Sequence, residues 1–310
     1  MKADAVFEGG GVRGIAFIGA IQEMEAKGYE WERLAGTSAG AVVAALLACG
    51  YSSRELVHIM KTLDYSRLLG RTWVHYLPIV GKALPLLFKS GIYLNTPLED
   101  KLTYWLKRKG VSTFGDLPEG KLKIIASDIS SGKMLILPDD LPRYHISRSQ
   151  FPVAAAVRMS TTIPYFFQPY RLKTKLRRKP YYILDGGLLS NYPIWIFDVE
   201  GMPRWPTFGF RLLGEHAGTP FHDISGPFSM FRAMFQTMLK AHDQRHVDKH
   251  SRRRTVFIPT GKVSTTQFDL GPEERDFLYQ SGQETARKFL SGWDYGKYVE
   301  EFRVSGEWKL

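Results

Sequence analysis

Cysteine is nearly missing from this chain of 310 residues: Cys49 stands alone. One thiol excludes an intrachain disulfide framework and a cysteine-built zinc site, and it fits a reducing compartment. An apolar h-region is not read at the start, where Met1-Lys2 runs directly into Asp4 and Glu8, so no secretory signal is expected and the cytoplasm is the expected location. Long hydrophobic runs are absent too. The longest stretch without charge, Leu34 to Ser53, contains glycines and polar residues, and its continuously apolar part, Ala41 to Cys49, is far too short to cross a bilayer. It is expected to be a buried helix. Acidic residues are outnumbered, 31 against 42 Lys and Arg, which leaves a net charge of +11. That excess favours anionic partners such as phospholipid head groups or nucleic acid without choosing between them.

What is present is the composition of a globular chain, with 44% hydrophobic and 24% charged residues, so disordered, collagenous and coiled-coil classes are excluded. Ala3 to Phe7 reads as a strand ending in a glycine cluster, and Ile15 to Ala26 carries apolar residues at helical spacing. A second strand, Trp31 to Ala35, enters Gly36-Thr37-Ser38-Ala39-Gly40 and the buried helix. Two successive βα units predict an α/β fold with a mostly parallel central sheet and helices on its faces. Further along, Thr96-Pro97-Leu98-Glu99 has the capping-box pattern of a helix start, and Leu122 to Asp128 with Lys133 to Leu137 predicts a β-hairpin. Ser149 to Val157 reads as helix, Tyr181 to Leu184 and Thr207 to Leu212 as strands, Phe228 to Lys249 as a long helix, Thr255 to Ile258 as a strand, and Pro272 to Leu290 as a last helix. No internal repeat or linker interrupts this series, so one elaborated domain is expected.

Three glycine-punctuated turns carry the chemistry. Gly36-x-Ser38-x-Gly40 between strand and helix has the nucleophile-elbow pattern, in which a sharp turn exposes the serine and the flanking glycines permit backbone crowding. A bare match arises roughly 0.2 times in a random chain of this composition, so its position at a strand end carries the reading; the plain alternative is a tight turn whose serine caps a helix. Gly9-Gly10-Gly11-Val12-Arg13-Gly14 also satisfies a dinucleotide-binding pattern, but that needs an acid near the end of the second strand, and Glu30 and Glu32 lie at its beginning. An oxyanion hole built from backbone N–H groups fits better. Arg13 is either a cation for an ester phosphate or developing charge, or a solvated surface arginine. Asp185, before Gly186-Gly187, is placed to accept a serine proton directly, with desolvation raising its basicity; alone it would read as the start of a glycine turn. The eight histidines, His58, His75, His145, His216, His222, His242, His246 and His250, occupy no recognisable strand-end turn, and the spacing of the 242, 246 and 250 trio reads as a basic helix face.

Taken in order, these turns resemble the patatin-like phospholipase family, with support from Val157 to Phe167 and from Leu188-Leu189-Ser190-Asn191-Tyr192-Pro193-Ile194. The likeness implies a three-layer α/β/α hydrolase core over residues 4–212. Within it the apolar, proline-broken segment 63–93 reads either as a cap lining an acyl-chain cleft or as a loop covering the core, and 213–310 is expected to form a C-terminal helical extension packed on the same domain. It implies a lipid acyl hydrolase in which Ser38 is the nucleophile, Asp185 the base, and Gly9, Gly10, Gly11, Arg13 and Gly14 form the oxyanion region, with Gly36, Gly40, Gly186 and Gly187 as supporting turns. No metal or organic cofactor is implied. The expected partners are phospholipid or another acyl lipid and, transiently, an anionic membrane surface; nucleic acid is not expected, and oligomeric state stays open. Arg171 to Lys179, six basic residues in nine, is either a lipid-docking patch or a solvated hairpin. Two other readings remain at this stage: an α/β-hydrolase esterase with a Ser-Asp-His triad using His216 or His222, and a non-catalytic basic module that binds lipid or nucleic acid.

Overall fold

The computed structural model describes residues 1–70, 91–175, 177–214 and 249–300, together with positions 224, 226, 230, 233, 234 and 237. In chain order the principal elements are β1 (Lys2–Phe7), α1 (Ile15–Ala26), β2 (Glu30–Thr37), α2 (Ala39–Ala48), α3 (Ser53–Thr62), β3 (Gly91–Tyr93), α4 (Thr96–Arg108), β4 (Leu122–Asp128) and β5 (Lys133–Leu137). Then come α5 (Val153–Ser160), β6 (Tyr165–Phe167), β7 (Tyr170–Leu172), β8 (Tyr181–Asp185), β9 (Thr207–Leu213), α6 (Lys249–Arg253), β10 (Thr255–Pro259), α7 (Pro272–Gly292) and α8 (Tyr295–Val299). The predicted helix over Phe228 to Lys249 falls largely outside the described residues, as does most of the expected cap.

The central sheet is mostly parallel, as the two leading βα units require. β10, β9, β1, β2 and β4 run side by side in one direction, while β5, β8 and β7 are antiparallel to their neighbours. Residues 3–7 of β1 are buried without alternation, the pattern of a parallel strand covered on both faces. On one face lie α1, α2 and α7 in a core where Phe7 stacks on Phe210 at 4.9 Å and tilts against Phe17. On the other face, Val6, Ala35 and Ile125 are covered by Tyr192 and the single-turn helix Ile194–Phe197. This is the expected α/β/α layering. The C-terminal segment is not purely helical among its described residues, since β10 extends the sheet.

Two local expectations are corrected. The helix near residue 96 takes Asn95 as its N-cap with no side-chain cap bond, and no capping box forms at Thr96, because Glu99 is drawn into an ion pair with Arg158 at 2.7 Å. The helix expected from Ser149 begins at Val153, with Pro152 as its cap; proline is disfavoured inside a helix but tolerated at its start.

At the outer edge of the sheet, Arg254 is 2% exposed and donates from both terminal nitrogens to Asp198, at 2.6 and 2.7 Å. Asp198→Ala leaves a buried guanidinium without its carboxylate, and should lower the unfolding free energy by about 2–4 kcal/mol, less than for a wholly buried pair because Asp198 keeps 20% side-chain exposure. Urea unfolding checks this; a loss under about 1 kcal/mol contradicts it.

Candidate active site

Ser38 sits between β2 and α2 with φ 52° and ψ −121°, a backbone conformation that L-residues rarely adopt. The neighbouring chain imposes it. A Cβ on Gly36 would lie 2.3 Å from the Gly40 carbonyl carbon, and one on Gly40 would lie 2.4 Å from the Phe7 carbonyl oxygen, so strand, helix and β1 meet where no side chains fit. Two long-range bonds hold the turn. The Ser38 N–H donates to Ser160 Oγ at 2.8 Å, Ser160 in turn donates to the Ile125 carbonyl, and the Thr37 hydroxyl donates to Ser190 O at 3.1 Å.

The register of β4 explains how Asp185 reaches this turn. β5 pairs with Ile124 through Asp128 along one edge of β4; the other edge is shared, β2 taking Leu122 to Ile125 and β8 taking Ala126 to Asp128. Thr37 lies opposite Ile125 and Asp185 opposite Ala126. The carboxyl ends of β2 and β8 therefore point at each other, and the residues at those ends become neighbours. Gly186 fits closely beside them, since a Cβ there would lie 2.3 Å from Ile125 O and 2.9 Å from Thr37 Cγ2.

Asp185 is 3% exposed. Its backbone N–H donates to Thr162 O, and Oδ1 accepts from the Gly187 N–H at 2.8 Å. Burial pushes the carboxyl pKa up from 3.8 to about 6, and the Ser38 hydroxyl and Gly187 N–H oppose that rise. The hydroxyl faces the carboxylate closely enough to favour its charge, but falls outside good hydrogen-bond geometry, so Oδ2 is buried with no partner among the described residues.

The glycine turn approaches from β1. A Cβ on Gly9 would lie 3.3 Å from Ser38 Cβ, which places the turn directly over the serine. The Gly9 N–H donates to Asn191 O, so it is engaged, whereas the Gly10 and Gly11 N–H groups make no hydrogen bond among the described residues. The same is true of the Ala39 N–H that opens α2. Gly14 closes the turn and packs on Ala39. Buried Glu8 fixes the base of the turn: its carboxylate accepts from Leu212 N at 2.7 Å, Arg211 Nε at 3.1 Å and Asn191 Nδ2 at 3.3 Å. Arg13 is not a solvated surface arginine. It is half-buried, donates from Nε to the Gly10 carbonyl, and burial lowers its pKa against the opposing charge of Glu8.

A largely apolar cavity of ≈ 140 Å³ adjoins Ser38 and Gly11 and runs among α1, α2 and α3, with Val42, Leu46, Met60 and Trp105 in its wall. Leu63, Tyr65 and Leu68, from the start of the predicted cap segment, complete one side, and Ile163, Phe167 and Phe268 another. His58 and His145 are exposed and make no hydrogen bond to Ser38 or Asp185. The positions 75, 216, 222, 242 and 246, and the side chain of His250, lie outside the description. Among the described residues no group of His, Cys, Asp or Glu is placed to hold a metal ion. Ser160, Asn191 and Glu8 organise the site but had no role assigned from sequence; the only signal was a polar residue inside or beside a glycine-rich or small-residue stretch.

A family model described as patatin-like phospholipase matches residues 5–198. Protein YqhO of Bacillus subtilis (strain 168) is 40% identical over 296 residues, covering 95% of this chain and 100% of its own. An NTE family protein of Mycobacterium tuberculosis is 28% identical over 209 residues, 67% of this chain and 48% of that protein. Among solved structures, VipD from Legionella pneumophila has a TM-score of 0.56 at 20% identity, covering 94% of this chain and 66% of VipD, a likeness of fold. With the family model spanning more than half of its length and the glycine, serine and aspartate turns all inside the match, the chain belongs to the patatin-like phospholipase family.

Proposed function

We propose that this protein is a lipid acyl hydrolase that cleaves carboxylic ester bonds of phospholipids or related acyl lipids with a Ser38–Asp185 dyad. The observation that carries the reading is the desolvated Oδ2 of Asp185, without a partner among the described residues, facing the hydroxyl of a strained serine beside an apolar cavity. A carboxyl with a pKa of about 6 is ionised at neutral pH yet far more basic than an ordinary aspartate, which suits a general base that works without histidine.

In the reaction, Asp185 takes the Ser38 proton as Oγ attacks the ester carbonyl. Negative charge gathers on the carbonyl oxygen, where the uncommitted Gly10 and Gly11 N–H groups supply donors, with the Ala39 N–H adjoining. Collapse of the tetrahedral species breaks the bond to the alcohol oxygen, which leaves with the proton from Asp185. Water then attacks the acyl-serine, Asp185 takes its proton, and the fatty acid departs as Ser38 recovers its hydrogen. The cavity holds the acyl chain, an apolar ligand suited to aliphatic and aromatic walls. Arg13, at the glycine turn, supplies positive charge near the phosphate or the developing oxyanion. Substrate lipid is met at a membrane surface, so the association with membrane is peripheral and transient; no helix among the described residues is long and apolar enough to span a bilayer.

Three outcomes follow. On vesicles of mixed-acyl phosphatidylcholine and phosphatidylglycerol, Ser38→Ala should lose at least about 10³-fold in hydrolysis and all labelling by a fluorophosphonate. His216→Gln and His222→Gln should stay within about threefold of wild type; collapse of either instead identifies a triad. The rate should rise with pH through about 6 and then level, because the base must be ionised.

Stability should move the other way. Folded Asp185 holds its proton more tightly than the unfolded chain, whose carboxyl stays near 3.8, so wild type loses stability as pH rises between these values and stays penalised at neutral pH. Asp185→Asn should abolish hydrolysis while raising the unfolding free energy by roughly 2–3 kcal/mol at about pH 7, a gain that fades at about pH 4. A variant less stable than wild type at about pH 7 would show that the carboxylate is not desolvated as described.

A further inference from the structure

The β7–β8 hairpin has a position that its sequence alone does not reveal. β8 is antiparallel to β4 and pairs Ile183 with Asp128, the last residue of β4, so Tyr181 and Tyr182 extend past the carboxyl edge of the parallel strands. β7 pairs Leu172 with Tyr181, which places the described connecting residues, 173–175 and 177–180, beyond that edge as well. The serine and glycine turns open on the same edge. At about 3.3 Å per residue, the tyrosine end of β8 stands roughly 13 Å beyond Asp185.

This rim is basic without compensation. Arg171, Lys173, Lys175, Arg177, Arg178 and Lys179 are all exposed, none forms an ion pair among the described residues, and 171–182 contains no Asp or Glu. Two of the cations rest on aromatic rings: Arg177 lies 4.9 Å from the centre of Tyr181, and Arg171 lies 5.9 Å from that of Tyr182. Apolar surface sits among them. Ile129, in the β4–β5 turn, is 51% exposed and donates its N–H to the carbonyl of Tyr182, itself 38% exposed. Cations combined with an exposed isoleucine and tyrosine match a bilayer interface, where ammonium and guanidinium groups meet phosphates and the apolar groups enter the head-group boundary. Nucleic acid would call for the charge but gives the exposed Ile129 nothing apolar to enter.

The geometry points to residues 171–175 and 177–182 of the hairpin, with Ile129, as the surface that seats this protein on an anionic bilayer, with the carboxyl edge of the sheet facing the lipid. The inference deepens the lipid-hydrolase reading, and it is tested by binding as well as by turnover. The hairpin is continuous with the chain on both sides of the site: Ile163 and Phe167 of the cavity wall precede it, and Asp185 follows it.

Each basic side chain near an anionic surface strengthens partitioning roughly fivefold. In the Ser38→Ala background, where turnover plays no part, co-sedimentation with phosphatidylcholine vesicles containing phosphatidylglycerol should fall about 600-fold on replacing Lys173, Lys175, Arg177 and Arg178 with Gln. Arg177→Lys with Arg178→Lys should retain binding, and raised salt should weaken wild type as the Gln substitutions do. With Ser38 intact, the Gln variant should lose hydrolysis of vesicle lipid through a raised KM and keep wild-type turnover of a water-soluble short-chain ester. Unchanged vesicle binding by the Gln variant overturns the proposal, as does loss of DNA binding in place of vesicle binding. Parallel loss on the soluble ester overturns it too, since it shows damage to the site rather than to docking. Vesicle binding without any hydrolysis by wild type would defeat the hydrolase reading and leave this surface standing.

Discussion

The site depends on one strand having only two edges. β4 gives one edge to β5 and divides the other between β2 and β8. Because β2 rises and β8 descends along that shared edge, their last residues converge, and segments far apart in the chain deliver a hydroxyl and a carboxylate to one place. The parallel half of the sheet brings the glycine turn alongside, as Phe7 of β1 pairs with Gly36 of β2. Serine, aspartate and peptide donors are thus held by backbone pairing more than by contacts among themselves.

Two energetic penalties are concentrated there. Ser38 is held at a positive φ, and Asp185 is stripped of water without full hydrogen bonding. Each disfavours the folded state by an amount that ordinary core residues would not. The surroundings offset them with buried hydrogen bonds from distant segments, Ser38 to Ser160, Thr37 to Ser190 and Leu212 to Glu8, and with a closely packed aromatic core under β1. Ser38 and Asp185 are thus kept in unfavourable states by the scaffold around them.

Much of this was legible in the residues. The βα units, the β4–β5 hairpin and the final helix all follow from periodicity and turn chemistry, and the three turns announce themselves because glycines crowd each of them. What escaped was non-local. Asn95 and Glu99 look like parts of a helix start, yet one bonds Thr162 and both engage Arg158, so local capping loses to tertiary partners. β3, β6 and β7 are three residues each, too short to show a period. Ser160 and Asn191 act only through contacts across the fold, and nothing in their immediate neighbourhood says so. Gly9 resembles its neighbours in sequence, but its N–H is engaged by Asn191, while those of Gly10 and Gly11 make no hydrogen bond among the described residues.

The head-on meeting of β2 and β8 also restricts how the chain can change. Strand pairing advances in whole residues, and each step reverses the side to which a side chain points. Unless a bulge absorbs the change, as the irregularity between Ala3 and Ala5 does in the pairing of β1 with β2, one residue inserted into or removed from β8 would carry its terminal carboxylate a full step along β4 and turn it to the opposite face. Loops around the rim can lengthen or shorten freely, but the spacing between alcohol and acid is locked to an integer, and tuning of the chemistry is left to burial and hydrogen bonding.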